Sequence, residues 1–197
     1  SRGYMSKTKG QVRKNSLDGA MALFWDRGFH DTSMEELVKG TGVSRYGIYD
    51  EFGSKHALFL ESMNHYYKRI MTPRLSILED KQAALPEIKG FFAKMVIFGH
   101  GKAEHKGCLL ANTAVELAPH APDVEAKLDE FRQYVMALFF RALRNAARKD
   151  EIRGDIPLDG AASHLFMVFQ GMMVMSKLSS GKLQEKGVDA LLASLQP

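Results

Sequence analysis

The sequence predicts an all-α fold: an N-terminal three-helix domain built around a helix-turn-helix, followed by a larger helical domain. Three observations predict it. Apolar residues recur at the 3.6-residue period of a buried helical face along most of the chain. No segment alternates apolar and polar residues as a half-buried strand does, and the strand-like run Phe91 to Phe98 lies between helical neighbours. From Leu17 to Phe59, capping residues and glycines fall in the order of short helices separated by tight turns.

In the first helix, Leu17, Ala20, Met21 and Phe24 stand at i, i+3, i+4 and i+7, and Gly28 follows where a left-handed C-cap is expected. Ser33 precedes Met34-Glu35-Glu36, so its hydroxyl can cap a second helix while Glu36 reaches back to the Ser33 amide, as in a capping box. Thr41-Gly42 stops that helix after about two turns, Val43 anchors the turn, and Ser44 caps a third helix beginning Arg45-Tyr46-Gly47-Ile48-Tyr49. With Ile48 and Phe52 facing the core, Arg45, Tyr46, Gly47, Tyr49 and Asp50 point to solvent at the spacing of a groove-reading helix. DNA binding is therefore the leading expectation. Gly53-Ser54 ends the third helix and caps a fourth, whose first residues, Lys55 and His56, make its N-terminus a seat for a phosphate.

From Lys55 the helical period runs through Leu58, Phe59, Met63, Tyr66, Tyr67 and Ile70 until Thr72-Pro73 disturbs it. Further helices are expected over 85–100, 109–117, 123–149, 158–178 and 188–195. The domain reading is 1–54 for the helix-turn-helix domain, with 1–8 a disordered tail, and 55–197 for the helical domain.

These residues resemble the TetR family of bacterial transcriptional regulators. The resemblance is nearly gap-free from Leu17 to Phe29, and through Thr32-Ser33-Met34, Gly42-Val43-Ser44 and Ile48 to Lys55. It covers about the first quarter to third of the chain. It implies that Arg45, Tyr46 and Gly47 touch base edges, and that Ser33, Ser44, Tyr49, Lys55 and His56 meet the DNA backbone. It further implies a homodimer on a palindromic double-stranded operator, acting as a repressor that a small-molecule effector releases. Two departures stand out. Tyr46-Gly47 replaces the Gly followed by Thr or Ser of many members, and Asp50-Glu51 brings acid near the phosphates. Asp50 either opposes the DNA or orients a neighbour such as Arg45.

The net charge of +4 agrees with an anionic partner but is common among ordinary proteins. Arg2, Lys7, Lys9, Arg13 and Lys14 all precede the first acid, Asp18, and form either a phosphate-tracking arm or a solvated tail. The apolar run Leu165 to Val174 is interrupted by Gln170-Gly171 and is too short to span a bilayer, and no signal peptide is read, so a cytoplasmic location is expected. A single cysteine excludes an intramolecular disulfide.

The stretch from His164 to Met175 is apolar all round and must be covered. Core burial is one reading. In the resembled family the last long helices pair across a dimer, which marks Phe166, Met167, Gly171, Met173 and Val174 as interface candidates. An apolar effector pocket can draw on Met63, Tyr67, Phe91, Met95, Phe98, Cys108, Phe131, Tyr134, Phe166, Phe169 and Gln170, most of which read equally well as core. Cys108 sits at an expected helix start beside Lys106, where a thiolate is favoured, with Lys177 a candidate amine neighbour; the alternative is an inert buried cysteine. His100, His105, Cys108 and His120 match no tight metal spacing, so no metal or other cofactor is expected. No nucleophile elbow, phosphate loop or zinc-protease motif supports an enzyme. A helical small-molecule carrier that does not bind DNA is the rival from another class.

Overall fold

The structure, a computed structural model, describes residues 9–99, 106–178 and 181–197. Among these residues the regular structure is entirely helical: α1 (Lys9–Arg27), α2 (Met34–Thr41), α3 (Arg45–Phe52), α4 (Lys55–Tyr66), α5 (Thr72–Glu79), α6 (Leu85–Gly99), α7 (Leu109–Glu116), α8 (Pro122–Arg148), α9 (Leu158–Met175) and α10 (Gly181–Leu195). The expected tail 1–8 lies outside the described residues. None of the described helices is long and apolar enough to cross a membrane.

The chain forms two compact units, the first closing at Arg69 and the second running from Ile70 to Pro197. Local chemistry fixes the first. Gly28, at φ +83°, ends α1 and donates its amide to the Phe24 carbonyl at 2.9 Å. The capping box forms as read: Glu36 N–H donates to Ser33 Oγ at 3.2 Å, and Ser33 N–H donates to Glu36 Oε2 at 2.8 Å. Gly42, at φ +68°, closes α2. Thr41 Oγ1 donates to the Leu37 carbonyl at 2.6 Å and accepts from Val43 N–H at 3.2 Å, which stiffens the turn.

Packing of this unit centres on Phe24, Leu37, Ile48, Leu58 and Phe59, all buried. Phe24 meets Phe59 edge-on with ring centroids 5.0 Å apart, and Trp25 meets Tyr66 likewise at 5.0 Å. These α1–α4 contacts carry the unit past the boundary expected after Ser54. Between α1 and α2 the backbones nearly touch: a Cβ on Gly19 would lie 2.4 Å from the Gly40 carbonyl oxygen.

After α4 the helix widens through Tyr67–Met71 and tightens again as α5. The sequence marked Thr72-Pro73 as a break. Pro73 instead falls in the first turn of α5, where a helix has no use for the missing N–H.

In the second unit α8 and α9 pack along each other, α6 lies against both, and α5, α7 and α10 complete the layers. Phe91 is the hub, with ring centroids 5.4 Å from Phe92, 5.4 Å from Phe139 and 5.3 Å from Phe169. The α5–α6 turn is tied down by α8: Arg141 donates to the Leu78 carbonyl at 2.7 Å, and Asn145 to those of Lys81 and Ala83 at 2.9 Å each. Helix α10 starts seven residues before the expected Val188. Its first turns carry little apolar signal, yet Gln184 is buried there and donates to the Met172 carbonyl at 3.2 Å.

Candidate nucleic-acid interface

Helix α3 separates its faces cleanly. Ile48 is fully buried, whereas Tyr46 is 79% and Tyr49 43% exposed, and Arg45 and Asp50 are exposed with them. Gly47 is held close beneath: a Cβ there would lie 2.8 Å from Val43 Cγ1. Ser44 Oγ accepts from Gly47 N–H at 3.1 Å at an exposed position. Ser33 differs, because its hydroxyl also meets Glu36 Oε2 at 3.0 Å.

The partner that orients Arg45 comes from across the turn. Arg45 Nη1 lies 3.7 Å from Glu35 Oε1, both side chains being well exposed. Asp50, considered for that role on sequence, is exposed. Glu51 is taken up by Arg13, whose other nitrogen reaches Glu61 at 3.1 Å and whose guanidinium carbon lies 5.1 Å from the Phe52 ring centroid. The acid at position 51 therefore faces a resident cation. At the start of α4, Lys55 Nζ lies 4.4 Å from the Phe29 ring centroid, and the His56 ring meets Phe29 edge-on at 5.7 Å. Neither Arg13's inward turn nor the Phe29 platform was legible beforehand.

A second ionic cluster braces α1 against α4. His65 Nε2 lies 2.6 Å from Asp18 Oδ1, and Arg69 pairs with the same oxygen. Partial burial works against the Asp18 charge, but hydrogen bonds from His65 and Arg69 outweigh it and hold the carboxyl below its ordinary value. A carboxyl depressed in the folded state stabilises fully above its unfolded pKa of about 3.9, and that contribution disappears as pH falls through the folded value. The expected result is that wild type and Asp18→Asn differ by up to about 1 kcal/mol in chemical denaturation near pH 6, with the gap closing only below about pH 4. A gap unchanged at pH 3 would refute this role.

The residues expected to line a pocket separate. Phe91, Met95, Cys108 and Phe169 are fully buried, as Met63 nearly is in α4. Phe98 carries the Arg74 guanidinium 4.0 Å from its ring centroid, Tyr67 is half-buried in the widened turn, and Tyr134 is exposed and donates to Glu79 Oε1 at 2.5 Å. Phe131, Phe166 and Gln170 do come together. They line a cleft of about 300 Å³ with Leu110, Ala114, Ala118, Glu125, Leu128, Asp129 and Arg132. A larger cleft of about 550 Å³ between α6 and α10, reached by Lys89, Val96, Glu185 and Asp189, was not anticipated.

On α9, Met167 and Val174 are 63% and 49% exposed, and Gly171 is open. Met173 is not on that face. It is completely buried within the protomer, because it lies on the core side of the helix with Phe169 and Met172. Cys108 forms the N-cap of α7. Before it, Gly107 at φ +66° lets the Lys177 stem come so near that a Cβ would lie 2.9 Å from Lys177 Cε. His100 and His105 lie outside the described residues, among which no cluster of His, Cys, Asp or Glu is arranged to hold a metal.

Comparison with known proteins agrees along the chain. Residues 17–62 match the family described as "Bacterial regulatory proteins, tetR family", and residues 84–187 match "Tetracyclin repressor-like, C-terminal domain". The uncharacterized HTH-type transcriptional regulator YezE of Bacillus subtilis is 25% identical over 182 residues, covering 91% of this chain and 93% of its own. The HTH-type transcriptional repressor ComR of Escherichia coli is 27% identical over 170 residues, covering 84% and 79%. A structure of the regulator CifR, a cysteine mutant complexed with 26 bp double-strand operator DNA, superposes with a TM-score of 0.81 at 23% identity, covering 92% of this chain and 96% of that one. The reduced form of E. coli NemR superposes with a TM-score of 0.83 at 20% identity, covering 94% and 98%.

Proposed function

Because the chain belongs to the TetR family of bacterial regulatory proteins and is a DNA-binding transcriptional regulator, we propose that it acts in the cytoplasm as a ligand-responsive repressor, a homodimer on a palindromic operator. The observation that carries this reading is α3, whose one buried residue is Ile48, while Arg45, Tyr46 and Tyr49 are all exposed. Arg45 and Tyr46 are assigned to base edges in the major groove, with Gly47 bringing the backbone close. Ser33, Ser44, Tyr49, Lys55 and His56 are assigned to phosphates. A relative held on operator DNA supports this assignment. Met167, Gly171 and Val174 on α9, exposed on one side of the helix, are assigned to the two-fold contact of the homodimer. No catalytic role is proposed.

The test is fluorescence anisotropy on DNA flanking the protein's own gene against scrambled DNA at about 150 mM salt, where sequence-independent binding is weak. A preference of about a thousandfold is expected. Arg45→Ala and Tyr46→Ala should each cost about 1–3 kcal/mol and relax discrimination at their own base positions. Uniform weakening on operator and scrambled DNA alike would reassign them to phosphates. Release by an effector is a population shift, so operator DNA must lower effector affinity by the same factor. Equal effector affinity with and without operator would exclude it.

A second reading, thiol sensing at Cys108, is favoured by the Lys177 stem packed beside the preceding residue. Full burial of the thiol opposes it. Slow alkylation of the native protein separates the two: modification faster than that of a buried control thiol supports sensing, and an equal rate removes it.

A further inference from the structure

The ring of Phe29 ties the core of the first unit to the start of α4. It meets the buried rings of Phe24 and Phe59, with centroids 6.2 Å and 5.1 Å away. It also meets the first two residues of α4: Lys55 Nζ lies over the ring, 4.4 Å from its centroid, and the His56 ring stands edge-on at 5.7 Å. Phe29, Lys55 and His56 are all half-buried, unlike Ser33, Ser44 and Tyr49, the other residues assigned to phosphates, which are exposed. The first turn of α4 carries no acid. A cation placed there opposes the positive end of the helix dipole, a cost that the electron-rich face of a ring offsets in part.

From this arrangement we propose that Phe29 is a positioning residue for DNA binding, a ring anchored in the core that presets Lys55 for the phosphate backbone. A lysine on an open surface samples many rotamers and loses that freedom when it settles on a phosphate. A ring that already restrains the ammonium removes part of this loss in advance, and Phe29 is itself held by two buried rings. An ammonium carries three donors, enough to rest over a ring and bond a phosphate oxygen at once. Phosphates are alike in every sequence, so Phe29 contributes to affinity and not to base discrimination. This role rests on the assignment of Lys55 to a phosphate, and variants of the two residues test them separately.

The experiment is a double-mutant cycle on the full-length protein, read by fluorescence anisotropy on the gene-flanking duplex and on a scrambled duplex at about 50 mM salt, where phosphate contacts dominate. Lys55→Met keeps the stem and removes the charge; it should weaken binding to both DNAs and lower the slope of log affinity against log salt by about 0.9. Phe29→Leu should weaken binding to both DNAs by the same factor, about threefold to tenfold, the scale of immobilising one long side chain. Phe29→Tyr, which restores the ring, should bind within about twofold of wild type. In the Lys55→Met background the loss from Phe29→Leu should shrink to within about twofold, because no ammonium is left to position. Fluorine substitution around the ring at position 29 keeps its shape and withdraws electron density from its face, so affinity should fall with each fluorine added. That series replaces Phe29→Leu if the latter does not fold. Losses from Phe29→Leu and Lys55→Met that multiply independently, a flat fluorine series, or a loss from Phe29→Leu confined to the gene-flanking DNA would each overturn the positioning role while leaving Lys55 on its phosphate. Affinity and slope unchanged in Lys55→Met would remove the phosphate assignment itself, and the role of Phe29 with it.

Discussion

Phe91→Ala should lower the stability of the second unit by about 3–5 kcal/mol, the range for removing a buried ring whose surroundings cannot collapse. Three other rings, Phe92, Phe139 and Phe169, lean on Phe91 from three directions, and all four are fully buried. Truncation therefore opens a void bounded by rigid aromatic faces on α6, α8 and α9. Urea denaturation followed by far-ultraviolet circular dichroism measures the loss. A change under about 1 kcal/mol would mean that the ring is dispensable to packing, as expected of a residue lining a ligand chamber.

Gly19→Ala should be the most damaging single-methyl addition in the first unit, destabilising it by about 1–3 kcal/mol. The added carbon would stand 2.4 Å from the Gly40 carbonyl oxygen, and because that atom is backbone, α1 and α2 must separate for it to fit. Intrinsic helix propensity argues the other way by about 1 kcal/mol in favour of Ala, so the sign of the result decides which effect dominates. Trp25, the only tryptophan, packs on Tyr66 within this unit, and its fluorescence reports unfolding there. A stabilised variant would show that the helices have room to part. Operator affinity should fall with stability, since α2 supports the turn that aims α3.

What could be read in the sequence was what depends on neighbours a few residues apart. The box of Ser33 with Glu36, the caps at Ser44 and Ser54, the left-handed Gly28 and the helix stop at Gly42 depend on neighbours within one helical turn, and each forms as read. The family assignment followed from the same local order and holds. What escaped reading depends on distant partners. The close approach of Gly19 to Gly40 and the turn of Arg13 toward Glu51 and Glu61 join residues far apart in sequence. Aromatic spacing along a helix marks which residues are turned inward but not what awaits them. Phe91 meets three other rings and is fully buried, whereas Phe166, equally apolar by type, meets Phe169 and also borders a void. Met173 shows the same limit, because a helix apolar on every side does not reveal which side its own chain covers. Pro73 and the polar start of α10 misled for a simpler reason: both lie in first turns, where rules for helix interiors do not apply.

The inward turn of Arg13 bears on how the protein responds to ionic strength. A protein cation that settles on a phosphate sets free a condensed counterion, and each such event adds about 0.9 to the dependence of log affinity on log salt. An arginine that already holds two carboxylates brings its own neutralising charges, so little is gained when the DNA arrives. The basic N-terminal sequence thus overstates the number of ions displaced. Complex formation leans correspondingly more on shape and base contacts, which persist as the surrounding medium becomes more concentrated.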